Sequence, residues 1–238
     1  MKLDVLAFAA HPDDIELSCG GTLLSLAAQG KKTGIVDFTR GEMGTRGTPE
    51  IRDQEAAAAA QILHLTAREN LGFKDVYFEN NDAHVLEVVK MIRKYQPSII
   101  LANSISDRHP DHGKAAAIVK KALFIAGLKK VETILEGETQ EIWRADNLYH
   151  YIQTDYHHPD FVVDVSNYWT KRMEAVRAYQ SQFFNPSAGA SNTLISSPEF
   201  MELLEARARE YGMAIRVKYG EGFVKDRMLG VSDLTSLR

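Results

Sequence analysis

Short apolar runs alternate with amphipathic stretches along the first 126 residues, and that alternation leaves few folds open. Residues 3–9 read as a buried strand. Residues 21–29 read as a short helix stopped by Gly30, and residues 33–39 as a second strand rich in β-branched and aromatic side chains. Residues 49–63 follow as a helix with proline in its first turn, then 69–73 as a weaker third strand. Residues 83–95 form a helix with Val85, Val88, Val89 and Ile92 on one face, before a fourth strand at 98–102 and a helix at 112–126. This pattern predicts an α/β, Rossmann-like fold with a mostly parallel sheet, helices on both faces and right-handed crossovers.

Beyond residue 146 the pattern loosens. Residues 147–153 and 161–165 read as strands and 167–180 and 198–211 as helices. Residues 184–197, rich in Pro, Gly, Ser and Asn, read as a loop or lid. This tail is too small to fold alone. We therefore expect one domain over residues 1–238, with 147–238 as a small irregular C-terminal extension that completes the sheet and the pocket.

Titratable residues crowd the ends of two predicted strands. Ala10-His11-Pro12-Asp13-Asp14-Ile15-Glu16 follows the first, and Arg108-His109-Pro110-Asp111-His112 follows the fourth. In the strand order 3-2-1-4-5 these strands are neighbours. Open α/β sheets bind ligands in the crevice outside the carboxyl ends of such a pair, so one crevice collects both motifs. His11 and Asp14 are three residues apart, as are His109 and His112, and in a turn that spacing aims both members at one point.

Zinc takes imidazole nitrogen and carboxylate oxygen, and catalytic zinc sites use three protein ligands plus water. His11, Asp14 and His112 are the expected ligands. Asp13 is then left to act as general base on a water that the metal acidifies. A protonated His109 supports a developing oxyanion or gives a proton to a leaving amine. Asp111 holds one of the imidazoles in its useful tautomer. Iron(II) or another divalent ion suits the same ligands. Taken alone, His-Pro-Asp-Asp is as readily a turn in which Asp14 or Ser18 caps a helix; the convergence of two motifs favours the site.

Other residues carry weaker signals. Arg52 or Arg108 is placed to grip a substrate carboxylate bidentately, with a surface arginine the equal alternative. Glu42, in a glycine-rich loop, is placed to bond a sugar hydroxyl or simply to make a turn. His64, His84, His150, His157 and His158 read as surface or core histidines, and Cys19 as a small packing residue. Gly20-Gly21 is not a dinucleotide-binding fingerprint. A net charge of −4 and a pI near 6.1 give no bulk electrostatic case for nucleic acid. One cysteine excludes an intramolecular disulfide. No apolar run approaches the roughly 20 residues that span a bilayer, and no basic-then-apolar signal opens the sequence. The expectation is a soluble cytoplasmic protein acting on a small molecule.

At these residues the chain resembles the LmbE/PIG-L family of zinc-dependent N-acetylglucosamine deacetylases. His11-Pro12-Asp13-Asp14-Ile15-Glu16 is similar to its first signature and Arg108-His109-Pro110-Asp111-His112 to its second. Within the family the chain looks most like the bacillithiol-pathway deacetylases of N-acetylglucosaminyl malate. Thr39-Arg40-Gly41-Glu42, Arg52, Ser181-Gln182-Phe183 and Glu221-Gly222-Phe223 sit where that subgroup has similar residues, and the likeness spans nearly the whole chain. The resemblance implies zinc on His11, Asp14 and His112, Asp13 as base, His109 stabilising the tetrahedral intermediate, and a homo-hexamer. The expected reaction is hydrolysis of the N-acetyl group of N-acetylglucosaminyl malate to glucosaminyl malate and acetate. Its rivals are deacetylation of a chitooligosaccharide or an inositol-linked glucosamine, and a non-catalytic sugar- or nucleotide-binding module on the same fold. A binder has no need of Asp13 beside three metal ligands.

Overall fold

β1 (Val5–Ala9) lies in the interior of the sheet because none of its side chains needs water. All five residues are buried, and it pairs in parallel with β2 (Thr33–Asp37) on one side and β4 (Ile99–Ala102) on the other. The structure, a computed structural model, describes residues 1–183 and 193–236. Beyond β2 lies β3 (Ala67–Asn70). Beyond β4 lies β7 (Asn147–Tyr151), parallel to it, and then β9 (Gly220–Lys225) and β8 (Phe161–Asp164), which run antiparallel to their neighbours. The order β3-β2-β1-β4-β7-β9-β8 contains the expected 3-2-1-4-5 arrangement, with β7 as the fifth strand. A two-stranded hairpin, β5 (Ile134–Leu135) and β6 (Glu138–Thr139), stands apart.

The two faces of β1 divide the core. Leu6 and Phe8 pack with Val85, Val88 and Ile92 of α4 (Asp82–Tyr95) and with Ala115, Ile118 and Val119 of α5 (Pro110–Ala126). Val5, Ala7 and Ala9 face Leu23 and Leu24 of α2 (Gly20–Ala28). A third cluster joins α3 (Pro49–Ile62), α6 (Trp169–Arg177) and α7 (Pro198–Ala214) through Ala59, Val176 and Phe200. The helices start where side chains can take the first free amides. Thr48 accepts from Ile51 N–H, Asn81 from His84 N–H and Ser197 from Phe200 N–H, and prolines open α3, α5 and α7.

Three local expectations change. The motif after β1 continues into a five-residue helix, α1 (Asp14–Ser18). The third strand is Ala67–Asn70 rather than 69–73, because the register to β2 runs from Gly34↔Ala67 to Asp37↔Asn70, and Phe73 has already turned into the core. The C-terminal part is less irregular than expected, since β9 adds a strand there. Gly220 and Gly222 lower its strand propensity, yet a Cβ on Gly220 would lie 2.5 Å from Val162 Cγ1 and one on Gly222 2.8 Å from the Tyr211 ring. Of the expected loop 184–197, residues 184–192 lie outside the described residues. No helix among the described residues is long and apolar enough to cross a membrane.

Candidate metal centre and active site

The end of β1 places His11, Asp13 and Asp14 in one turn. His11 N–H donates to Asp14 Oδ2 at 3.0 Å. Asp13 has φ 111°, a conformation that residues other than glycine rarely adopt. It is held there by Arg52, whose Nη2 donates to the Pro12 carbonyl and, at 3.2 Å, to Asp13 Oδ2. Backbone strain fixed by a buried arginine beside a carboxylate points to function. The end of β4 leads into the second motif, where His109 is the N-cap of α5. Its Nδ1 accepts from Asp111 N–H at 3.3 Å, which leaves the ring proton on Nε2.

Three potential ligands converge through atoms their other partners leave free. His11 turns Nε2 to Asp75 Oδ1 at 3.1 Å and to Asp111 Oδ2 at 3.5 Å, so Nδ1 faces Asp14 Oδ2 at 3.7 Å. His112 turns Nδ1 to Asp107 Oδ2 at 2.6 Å, so Nε2 faces Asp14 Oδ1 at 3.1 Å. Each imidazole therefore has a carboxylate behind it, the arrangement that fixes the tautomer of a metal-bound histidine. Metal bonds of about 2.0–2.2 Å in a tetrahedral shell space their donors by roughly 3.3–3.6 Å. The spacings of 3.1 and 3.7 Å lie near that range, each from a different Asp14 oxygen; among the described residues, the groups whose potential ligand atoms lie within 4.8 Å of one another are His11, His109 and His112, and His11, Asp75 and Asp111.

The electrostatics of the cluster call for positive charge at the same point. Burial opposes a charged His11, but hydrogen bonds to Asp111 and Asp75 and the charge of Asp14 outweigh it and push the imidazole up to about 10. Burial likewise opposes a charged His112, which the Asp14 charge and hydrogen bonds to Asp107 and Asp14 push up to about 9. Without a metal, two ring protons supply the cation the carboxylates need. His109 differs: burial and the charges of His11 and His112 hold it below the ordinary imidazole value. The sequence suggested a protonated His109; the structure gives a neutral ring that can still donate from Nε2. Burial raises Asp13 and the Arg52 charge lowers it, leaving the carboxyl at about 7, the range in which a general base works best.

The cluster forms the floor of a cavity of about 190 Å³, walled by Leu17, Ile195, Phe200 and Leu204 on one side. It adjoins an outer cavity of about 290 Å³ that shares Met43, Gly44, Arg108 and His109 with it. Arg46 and Arg108 line this outer space, and neither forms an ion pair among the described residues. Among the described residues, no Asp or Glu lines it.

Comparison with known proteins locates this geometry. Residues 6–123 match the family described as PIG-L, GlcNAc-PI de-N-acetylase. An uncharacterized deacetylase of Escherichia coli is 33% identical over 58% of this chain and 75% of its own length. The chain belongs to the PIG-L family. Within it, the diacetylchitobiose deacetylase of Thermococcus kodakarensis is 29% identical over 75% of this chain and 70% of its own. A probable N-acetyl-α-D-glucosaminyl L-malate deacetylase 2 of Bacillus anthracis is 27% identical over 75% and 81%. The crystal structure of a conserved protein from Thermus thermophilus is 39% identical, covers 97% of this chain and 98% of that one, and superposes with a TM-score of 0.84.

With the family in place, the other expected site residues sort themselves by contact. Glu42 is a correction: its Oε1 accepts Asp75 N–H and its Oε2 accepts Arg40 N–H, so the carboxylate braces loops instead of facing a sugar. Asp111 does stand behind an imidazole, that of His11, but Asp75 is nearer. Arg52 reaches the cavity with Nη2 already committed to the Pro12–Asp13 turn. The other residues on which the subgroup resemblance rested also brace the surroundings. Ser181 bonds Glu55, Gln182 bonds the Arg46 carbonyl, and Glu221 accepts from Gly21 N–H and Thr22 N–H at the start of α2. The five histidines read as bystanders stay outside the potential metal groups found among the described residues, and Cys19 is a buried packing residue.

Asp75, Asp107, Asn103 and Gln153 escaped the sequence reading. Asp107 alone carried a signal, lying five residues before His112 in the loop that leads into α5. Asp107→Ala is expected to weaken metal binding by about 10–100-fold, measured by chelator competition. Unchanged affinity would show that Asp107 does not orient a ligand.

Proposed function

We propose that this chain is a metal-dependent N-deacetylase of an N-acetylglucosamine conjugate carrying a small anionic group, N-acetylglucosaminyl malate being the leading substrate. The family supports deacetylation. The observation that carries the anionic preference is the outer cavity, where, among the described residues, Arg46 and Arg108 form no ion pair and no carboxylate lines the space. Of the two arginines considered from sequence, Arg108 is the free one. Arg52 already serves the catalytic turn.

A divalent cation on His11, Asp14 and His112 would supply Lewis acidity, acidifying a water and polarising the acetyl carbonyl. The chain's residues do the rest. Asp13, unable to leave its strained turn, accepts the proton that the water loses. Its orientation by Arg52 keeps that acceptor aimed into the cavity. His109 donates from Nε2 to the oxygen that becomes negative, and it does so neutral, so it gives up no charge to burial. The water oxygen bonds to the acetyl carbon, the C–N bond breaks as the nitrogen takes from Asp13 the proton that the water gave up, and acetate and a free amine are released.

The test is a comparison of kcat/KM for N-acetylglucosaminyl malate and for a neutral N-acetylglucosamine glycoside. A strong preference for the malate conjugate is expected. Arg108→Ala should lower kcat/KM for the malate conjugate by about 10–100-fold, the worth of a charge-assisted hydrogen bond of about 1.5–3 kcal/mol, and leave the neutral glycoside nearly unchanged. Equal use of both substrates by the wild-type chain would reject the anionic reading in favour of a neutral oligosaccharide.

A further inference from the structure

Asp14 is more closely constrained than a ligand needs to be merely to bind. A carboxylate has about four lone-pair positions on its two oxygens, and three are filled here by fixed donors. Oδ2 accepts His11 N–H at 3.0 Å and Asn103 Nδ2 at 2.9 Å. Oδ1 accepts Gln153 Nε2 at 3.0 Å. The fourth position, also on Oδ1, faces His112 Nε2 at 3.1 Å, and Gln153 Nε2 lies 3.2 Å from that same ring nitrogen.

Neither amide is free to turn over. Asn103 Oδ1 accepts Ala10 N–H at 3.0 Å, which fixes its Nδ2 toward Asp14. Gln153 Oε1 accepts Asn103 Nδ2 at 3.0 Å and Ser104 N–H at 3.1 Å, which fixes its Nε2 toward Asp14 as well. Gln153 is 6% exposed and Asn103 fully buried, so solvent does not replace these donors. Gln153 follows β7, so a third strand end, outside both sequence motifs, reaches into the crevice.

We infer that Asn103, which with His11 N–H fills Oδ2 and is itself locked by Ala10 N–H and Gln153, is a positioning residue that restricts Asp14 to coordination through Oδ1 and so keeps the metal's coordination number low. A carboxylate free to rotate can close on a cation with both oxygens and occupy a position that a water or substrate oxygen requires; catalytic sites keep such a position open. The inference rests on the reading that a divalent cation occupies His11, Asp14 and His112.

Cobalt(II) is the probe, because its visible absorption reports coordination number. Asn103→Ser keeps a hydroxyl for Ala10 N–H but removes the donor to Asp14 Oδ2 and Gln153. Gln153→Met keeps the volume and removes the acceptor that locks Asn103, so the test survives a folding failure of Asn103→Ser. The wild-type protein should give the intense spectrum of a low-coordinate ion. In each folded variant the bands should lose intensity and move to shorter wavelength. A wild-type spectrum in both variants would overturn the inference and leave the metal reading standing. Failure of the wild-type chain to bind cobalt(II) would overturn both.

Discussion

Asp13→Asn should leave the metal bound and lower kcat by about 10²–10⁴-fold, the usual contribution of a positioned general base. The expectation comes from a division of labour within one turn. Asp14 faces His112 and is tied to His11, Asn103 and Gln153, whereas among the described side chains Asp13 is tied to Arg52 alone. Replacing its carboxylate by an amide keeps the size and a hydrogen-bond acceptor for Arg52 while removing the proton acceptor. Metal content of the purified variant and its kcat on the same substrate check both halves. Near-wild-type kcat would remove Asp13 from the chemistry, and loss of the metal would make it a ligand.

Metal affinity should climb steeply with pH. In the metal-free protein His11 titrates near 10 and His112 near 9, both raised by carboxylates that outweigh burial. At pH 7 both rings therefore carry protons, and a metal that takes His11 Nδ1 and His112 Nε2 displaces both. Each displaced proton contributes about a tenfold change in affinity per pH unit, so binding should tighten about 100-fold per unit below pH 9 and level off through pH 10. The same raised values stabilise the metal-free fold. That contribution is complete below the ordinary imidazole value of 6.5 and is lost as pH rises through 9 and 10. Titration of metal affinity against a chelator at several pH values measures the slope. A slope near zero would mean that the rings are neutral and that the carboxylates behind them do not hold protons there.

The motifs were legible because their chemistry is local. His11 with Asp14, and His109 with His112, each sit in a single turn, and the alternation of strands and helices places β1 beside β4. The residues that tune the site were not legible in the same way. Asp75 reaches His11 from a loop 64 residues away, and Gln153 reaches Asp14 from 139 residues away, distances at which a sequence pattern carries no period. Glu42 and Arg52 show the converse. Their residue types suggested substrate contact, but both Glu42 oxygens accept backbone N–H groups and Arg52 Nη2 is held by the Pro12 carbonyl and Asp13. β9 was hidden for a steric reason, since the glycines that let it pass Val162 and Tyr211 are residues that strands usually avoid.

The most direct measurement is acetate release from N-acetylglucosaminyl malate by metal-stripped protein, before and after addition of zinc or iron(II). The account predicts no turnover without metal, restoration by a stoichiometric divalent ion, and none in Asp13→Asn. Turnover that persists after metal removal, or an absence of acetate with every metal supplied, would contradict it.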